Sequence, residues 1–268
     1  MSRARMAAWI VLALILGPAL AAGWIAPAPY HRQFREAIAA PPSADHPLGT
    51  DELGRDRLSR LLHATRVSLL LAPAAALLST LLAAFAGASA AWLGRFPAGA
   101  HQVSSDLLLC LPWMFLLLTV RAALPLDVEP LASLVITFLL LGALGWAGPS
   151  RVVRAAAASL RNSDFLLLAR AQGVAGWRLL SRHLMPALRP VLAAQFWTSI
   201  PLFILAEANL GILGLGVVEP LPSWGGLLKE LENYSAIAEN PFVLAPAALL
   251  LACVWAMHVL LARKERAA

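Results

Sequence analysis

Six apolar runs decide what this chain can fold into: Met6 to Ile25, Val67 to Leu93, Leu107 to Leu124, Leu131 to Gly148, Val191 to Val217 and Pro241 to Ala262. A helix of roughly 17–25 apolar residues crosses the hydrocarbon core of a bilayer, and these runs fall near that length. In hydrocarbon no water is available to the backbone, so a spanning segment must satisfy its amides internally, as a helix does. The expected fold class is all-α: a polytopic membrane protein with six transmembrane helices. Composition agrees. The 268 residues are 60% hydrophobic and 13% charged, with a mean hydropathy of +0.72, more apolar surface than a soluble domain hides. The +6 formal charge and pI near 10.3 do not point to nucleic acid, because the arginines cluster at segment ends rather than in one patch.

The runs partition the chain. Residues 1–25 read as an amino-terminal transmembrane anchor behind Arg3 and Arg5; Ala19-Leu20-Ala21 resembles a signal-peptidase site, so a cleaved leader is the alternative. Residues 26–66 are polar and Pro-rich, an extracytoplasmic loop. Within it Asp51 to Ala64 is expected to form an amphipathic helix, with Leu58, Leu61 and Leu62 on one face and Arg57 and Arg60 towards another. Residues 67–262 hold five further spans, interrupted by a polar segment at 150–190, and 263–268 form a basic tail. Pro73, Pro112, Pro201 and Pro246 lie inside or near span ends and are expected to kink them. Ala83, Ala84, Ala86, Gly87, Ala88 and Ala90 make the second span small-sided, which permits close helix packing. Cys110 and Cys253 sit in separate apolar runs and read as neither a disulfide nor a metal pair.

Asp164 to Pro190 breaks the apolar pattern. Between two membrane-length runs it carries Arg170, Arg178, Arg182 and Arg189. Asn162-Ser163-Asp164 offers capping side chains, and Phe165 to Gln172 contains no breaker. Gly173 and Gly176 interrupt the run. From Trp177 the helical period returns, with Trp177, Leu180 and Leu184 on one face and Arg178, Ser181 and Arg182 on the other. Pro186 and Pro190 are then expected to stop or kink the helix. The product is a pair of short helices on a membrane surface with a glycine corner, or, on the plainest reading, an amphipathic linker. With the amino terminus inside, Arg3, Arg5, Arg95, the seven arginines from Arg151 to Arg189, Arg263, Lys264 and Arg266 face the cytoplasm, thirteen of the 21 Lys and Arg. That bias places both termini and the Asp164 to Pro190 stretch on the cytoplasmic side.

Glu207 is the one acid deep in a span, and a charge at a helix centre costs about 2.5–3.5 kcal/mol. It is expected either to line a path or to make a structural hydrogen bond to a partner chain, helped by Asn209. Gly211, Gly214 and Gly216 mark close packing or the end of that span. His31, His46, His63 and His101 show no metal-site spacing. Lys229 and Lys264 lie in no phosphate-binding loop, and no H-E-x-x-H or G-x-S-x-G occurs.

Four stretches together resemble one family: the dipeptide/oligopeptide/nickel permeases of ABC importers, in their C-type subunit. They are H-P-L-G-T-D-E-L-G-R-D from His46, D-L-L-L-C-L-P from Asp106, the region from Gly145-Trp146 to His183-Leu184-Met185-Pro186, and E-A-N-L-G-I-L-G-L-G-V-V-E-P-L-P-S-W-G from Glu207. The family's loop pattern is E-A-A, three residues, Gly, nine residues, I-x-L-P. Gly173 and Pro186 keep its spacing, while Leu167, Leu168, His183 and Met185 depart from it. The family's G-D-x-L-R-D-like ending does not occur before Ala262-Arg263-Lys264-Glu265-Arg266. The resemblance implies a type I importer permease with cytoplasmic coupling helices, in a bacterial inner membrane. It implies a homologous B-type permease, two cytoplasmic ATPase subunits and an extracytoplasmic solute-binding protein as partners, besides membrane lipid. It implies no cofactor or metal on this chain, with ATP and Mg in the ATPases, so the chain itself is not an enzyme. Asp164, Ala169, Arg170, Ala171, Gly173, Trp177 and Arg178 then become the ATPase-coupling group. Glu207 and Asn209 become candidates for the translocation path. His46, Pro47, Leu48, Gly49, Thr50, Asp51, Gly54, Arg55 and Asp56 form the extracytoplasmic motif. The cargo expected is peptide or a related small solute, with nickel open; a secondary transporter or channel independent of an ATPase is the rival.

Overall fold

The computed structural model describes residues 3–92, 94–123 and 129–261. Among them the only β-pairing is two isolated bridges, Gln33–Arg55 and Thr50–Asp56. The apolar runs become helices because each must bond its own backbone. The first is α1 (Arg3–Leu20), followed by the short α2 (Ala22–Ile25). After a loop comes α3 (Arg57–Trp92), which merges two elements that the pattern had separated. The amphipathic helix expected over Asp51 to Ala64 and the span expected from Val67 are one helix, and it begins at Arg57. The start is displaced because two carboxylates are taken by turn amides. Asp51 Oδ1 accepts from the amides of Leu53 and Arg55 at 2.9 and 2.8 Å, and Asp56 Oδ1 accepts from the Ser59 amide at 2.7 Å, as an N-cap does. Pro73 lies within α3 without ending it.

The third run is not a single straight span. It divides into α4 (Arg95–Cys110) and α5 (Trp113–Ala122), bent by 86°. Pro112 has no amide hydrogen and drives the residue before it towards extended backbone, and Leu111 sits at φ −85°, ψ 135°. Leu124, the expected end of that run, lies outside the described residues, as does the tail 263–268. Next come α6 (Pro130–Leu144), α7 (Ala147–Leu160), α8 (Asp164–Ala171) and α9 (Gly176–Leu179). A π-helical turn over Leu180–Leu184 leads into α10 (Met185–Ile212). Pro186 and Pro190 do not stop this helix. The wider π turn comes just before Pro186, where an α-helical ring would press on the carbonyl one turn back. The loop after α10 then folds into α11 (Trp224–Leu228), a 3₁₀ turn (Lys229–Glu232), α12 (Tyr234–Glu239) and a second 3₁₀ turn (Pro241–Leu244) before α13 (Ala245–Leu261). Five helices among the described residues are long and apolar enough to cross a membrane, and a sixth is counted if the bent α4–α5 pair is one span.

The chain forms two compact units. The first comprises residues 1–72, 121–138 and 201–268. In it α1 packs along α13, burying Ala8 and Ala19 on one side and Cys253 and Ala256 on the other. Here too α10 and α11 touch backbone to backbone: a Cβ on Gly211 would lie 2.2 Å from the Gly225 backbone. Helix α10 then ends in a Schellman turn, with Leu215 N donating to Leu210 O, Gly214 N donating to Gly211 O, and Gly214 at φ 75°. The second unit comprises residues 73–120 and 139–200. There α3 uses its small residues to approach α7; Ala83, Ala84, Ala88 and Ala90 are buried, and a Cβ on Gly87 would strike the Ser150 carbonyl. Helix α4 also packs on α7 in this unit, through ion pairing of Arg151 with Asp106 and a 2.7 Å bond from Arg154 to Gln102.

Gly211→Ala is expected to lower the melting temperature of the detergent-extracted protein, since overpacking costs about 1–3 kcal/mol. Gly17→Ala, with nothing within 4 Å of its added carbon, is the control and is expected to leave it unchanged. Equal melting of the two variants would contradict the backbone contact.

Candidate functional site

In the second unit, the stretch from Asp164 to Pro190 folds as an elbow. Asp164 opens α8, where a carboxylate suits the positive end of the helix dipole. Ser163 occupies the cap position, but its hydroxyl donates back to the Leu160 carbonyl at 2.6 Å instead of capping. The far end of α8 is a Schellman turn. Val174 N donates to Ala169 O at 3.0 Å, Gly173 N donates to Arg170 O at 2.9 Å, and Gly173 sits at φ 83°, where a side chain is strained. Gly176, at φ 56°, turns the chain into α9.

The elbow is fixed from beneath. Leu166 and Ala169 from α8, Leu179 from α9, Leu184 and Leu188 beyond it, Ala88 from α3, and Val153 and Ala157 from α7 form one buried cluster. The face facing this cluster is not the expected one. Trp177, predicted to share a stripe with Leu180 and Leu184, is 71% exposed, and Leu179 is buried in its place. The π turn supplies the reason: an extra residue in one turn moves Leu184 back under the helix and swings the earlier stripe outward. Of the coupling residues read from sequence, Ala169 is in the cluster, and Asp164, Ala171, Gly173, Trp177 and Arg178 are exposed. Arg170 is half-buried, its guanidinium 4.8 Å above the Trp92 ring, a cation–π contact. The elbow thus has an anchored underside and an open outer side carrying Phe165, Leu168, Trp177 and Arg178.

In the first unit, the motif from His46 to Asp56 ties itself to the loop that follows α10. Asp51 Oδ2 accepts from Arg55 Nε at 2.7 Å and from Arg60 at 3.0 Å. The same two guanidiniums reach Glu219 at 2.5 and 2.8 Å. Arg57 pairs with Glu230, whose carboxyl is pushed up by burial against the opposing pull of Arg57. His46 Nδ1 bonds Asp56 Oδ2 at 2.9 Å, and its ring packs edge-on to Phe34. Thr50 bonds the Ala37 carbonyl and the Ala40 amide, the Leu48 carbonyl accepts from Asn240, and Gly49 and Gly54 are buried turn residues at positive φ. Pro47 is exposed. The two most distinctive motifs in the sequence, around residues 46–56 and 207–225, therefore meet in one polar knot.

Glu207 sits at the foot of that loop and is fully buried. Its carboxylate accepts from Ser68 Oγ and from the Gly225 amide, both at 3.3 Å, and Trp224 next to it donates to Thr65 at 3.0 Å. The hydrogen-bonding partner is thus within this chain. Asn209 is exposed and does not join it. Arg121, inside the third apolar run, was not singled out from the sequence. It is buried, and it donates to the Leu215 carbonyl at 3.1 Å and to Ser133 at 2.9 Å. An arginine inside an apolar run was the available signal.

Membrane-length helices, a glycine-cornered elbow and a loop knotted by ion pairs are the features of a multi-pass membrane protein. Residues 79–267 match the family described as binding-protein-dependent transport system inner membrane component, and the chain belongs to it. A putative peptide transport system permease protein of Brucella suis is 34% identical over 230 residues, covering 85% of this chain and 73% of the relative. The oligopeptide transport system permease protein of Mycobacterium bovis is 32% identical over 249 residues, 93% and 84% of the two chains. The dipeptide transport system permease protein of Bacillus subtilis is 30% identical over 225 residues, 84% and 68%. The chain is thus a multi-pass inner-membrane permease component of an ABC importer, and ATP hydrolysis lies in separate subunits of such systems.

Arg60→Ala is expected to cost about 3–5 kcal/mol, because it leaves the buried Asp51 carboxylate short of a cation. The Glu219 side of the same arginine adds little, since that carboxylate is half exposed. Arg57→Ala, with a more accessible partner, is expected to cost less. Denaturation midpoints of the two variants in matched detergent check the order.

Proposed function

We propose that the chain forms half of a peptide-conducting path, with a homologous permease as the other half. A solute-binding protein delivers cargo to the knotted loop, and two ATPases grip the elbow from the cytoplasm, where both termini also lie. The observation that carries this reading is the elbow's construction: a hydrophobic underside that locks α8 and α9 to α3, α7 and α10, beneath an exposed outer side. Such a piece moves as a rigid body and passes its displacement into α10, which tilts the span. Closure of the ATPases on ATP would thereby exchange inward-open for outward-open forms. Peptide as cargo follows from the relatives named for peptide transport. The half-buried His46 and His63 each bond their own chain, which leaves nickel without support from these residues.

Gly173→Pro tests the coupling. Proline cannot take φ 83° and has no amide for Arg170 O, so the corner is lost while the spans remain. The expected result is a membrane-inserted transporter that hydrolyses ATP without importing peptide; wild-type uptake would overturn the assignment. For orientation, Ala175→Cys in a background lacking Cys110 and Cys253 is expected to react with an impermeant maleimide only when the reagent reaches the cell interior. Labelling from outside would reverse the topology.

A further inference from the structure

An open groove of about 260 Å³ lies in the first unit, apart from the knot. Its floor is the beginning of the apolar part of α3, Val67, Leu70 and Leu71, and its facing wall is Leu221 and Pro222 of the loop after α10. Its rim is polar. The Tyr30 and His63 rings lie 5.0 Å apart, and His63 Nδ1 donates to the Ser59 carbonyl at 2.9 Å, which fixes the ring and leaves Nε2 without a hydrogen-bond partner among the described residues. Arg66 is exposed and makes no ion pair among the described residues. No Asp or Glu lines the groove.

The groove straddles a boundary. Arg66 is the last charged residue of α3, and none follows from Val67 to Trp92. A guanidinium, an imidazole and a tyrosine at the rim, over leucines that enter the hydrocarbon, reproduce the polarity gradient of a lipid from headgroup to chain. Tyrosine favours that interfacial level, and a cation there attracts an anionic headgroup. We propose that this groove is a binding site for one anionic phospholipid, with its phosphate at Arg66 and His63 and an acyl chain along Leu70 and Leu71. Leu221 and Pro222 directly precede Ser223 and Trp224, the residues that lead the loop onto Ser68 and Glu207. A lipid seated here braces that loop from the membrane side. The site does not depend on what cargo the transporter carries.

Native mass spectrometry of the assembled transporter, titrated with phosphatidylglycerol and with phosphatidylcholine, tests it. One phosphatidylglycerol is expected to be retained in preference to phosphatidylcholine. Arg66→Gln is expected to weaken that retention about fivefold, the value of one interfacial cation, and Arg66→Lys to keep it. Phosphatidylglycerol with a photoreactive acyl chain is expected to label α3 near Leu70. Equal retention of the two lipids, an unchanged Arg66→Gln, labelling elsewhere, or displacement of the lipid by trialanine would each overturn the proposal, the last by assigning the groove to cargo.

Discussion

The carboxylate of Asp51 holds the start of α3 and the loop after α10 in register. It accepts two backbone amides through one oxygen and two guanidiniums through the other, all at hydrogen-bond distance and almost out of reach of solvent. A buried charge is tolerable only when its lone pairs are met in this way. Because Asp51 captures the amides ahead of α3, the helix begins at Arg57 and not earlier. Because it shares Arg55 and Arg60 with Glu219, the loop after α10 is drawn onto the same point. The contact of Gly211 with Gly225 and the seating of Trp224 against Thr65 lie just beyond. Removing a neutral contact from such a network loses that contact; removing one charge exposes the desolvation of all the others.

How much was legible in the sequence differed by the kind of signal. Long apolar runs announce spanning helices because hydrocarbon admits no other backbone solution, and the runs read correctly as helical. Leu107 to Leu124 is helical as well, but apolarity carries no information about direction, and the chain bends by 86° at the kink expected from Pro112. Prolines as a group mislead: Pro112 falls at a sharp bend, whereas Pro73, Pro186, Pro190 and Pro201 lie inside continuous helices, with a π turn just ahead of Pro186. The glycine corner of the elbow was visible because a left-handed residue leaves a compositional mark. The buried stripe was not, since periodicity assumes a constant turn. Glu207 could be flagged as costly in a span, but its partners, Ser68 and the Gly225 amide, are far away in sequence and no spacing rule brings them together.

The two sites differ in what holds them. The knot relies on paired charges, whose geometry is specific and whose disruption is expensive. The elbow relies on apolar contact beneath and leaves its arginines largely to solvent, apart from Arg170 over Trp92. Apolar packing of this kind sets position without fixing what lies above it. That division suits the role proposed for the elbow, attached to its own spans and open on its other side.

The π turn at Leu180–Leu184 makes the aim of the elbow a matter of a single residue. Each residue of an α-helix advances the chain by about 100° around the axis. Had that turn closed with ordinary spacing, everything from Gly176 backward would be rotated about α10 by that angle, Leu180 would take the place of Leu179 against the core, and Trp177 would come round towards the same face. The protein thus stores the heading of the elbow as an insertion of length one, which a one-codon deletion would reset.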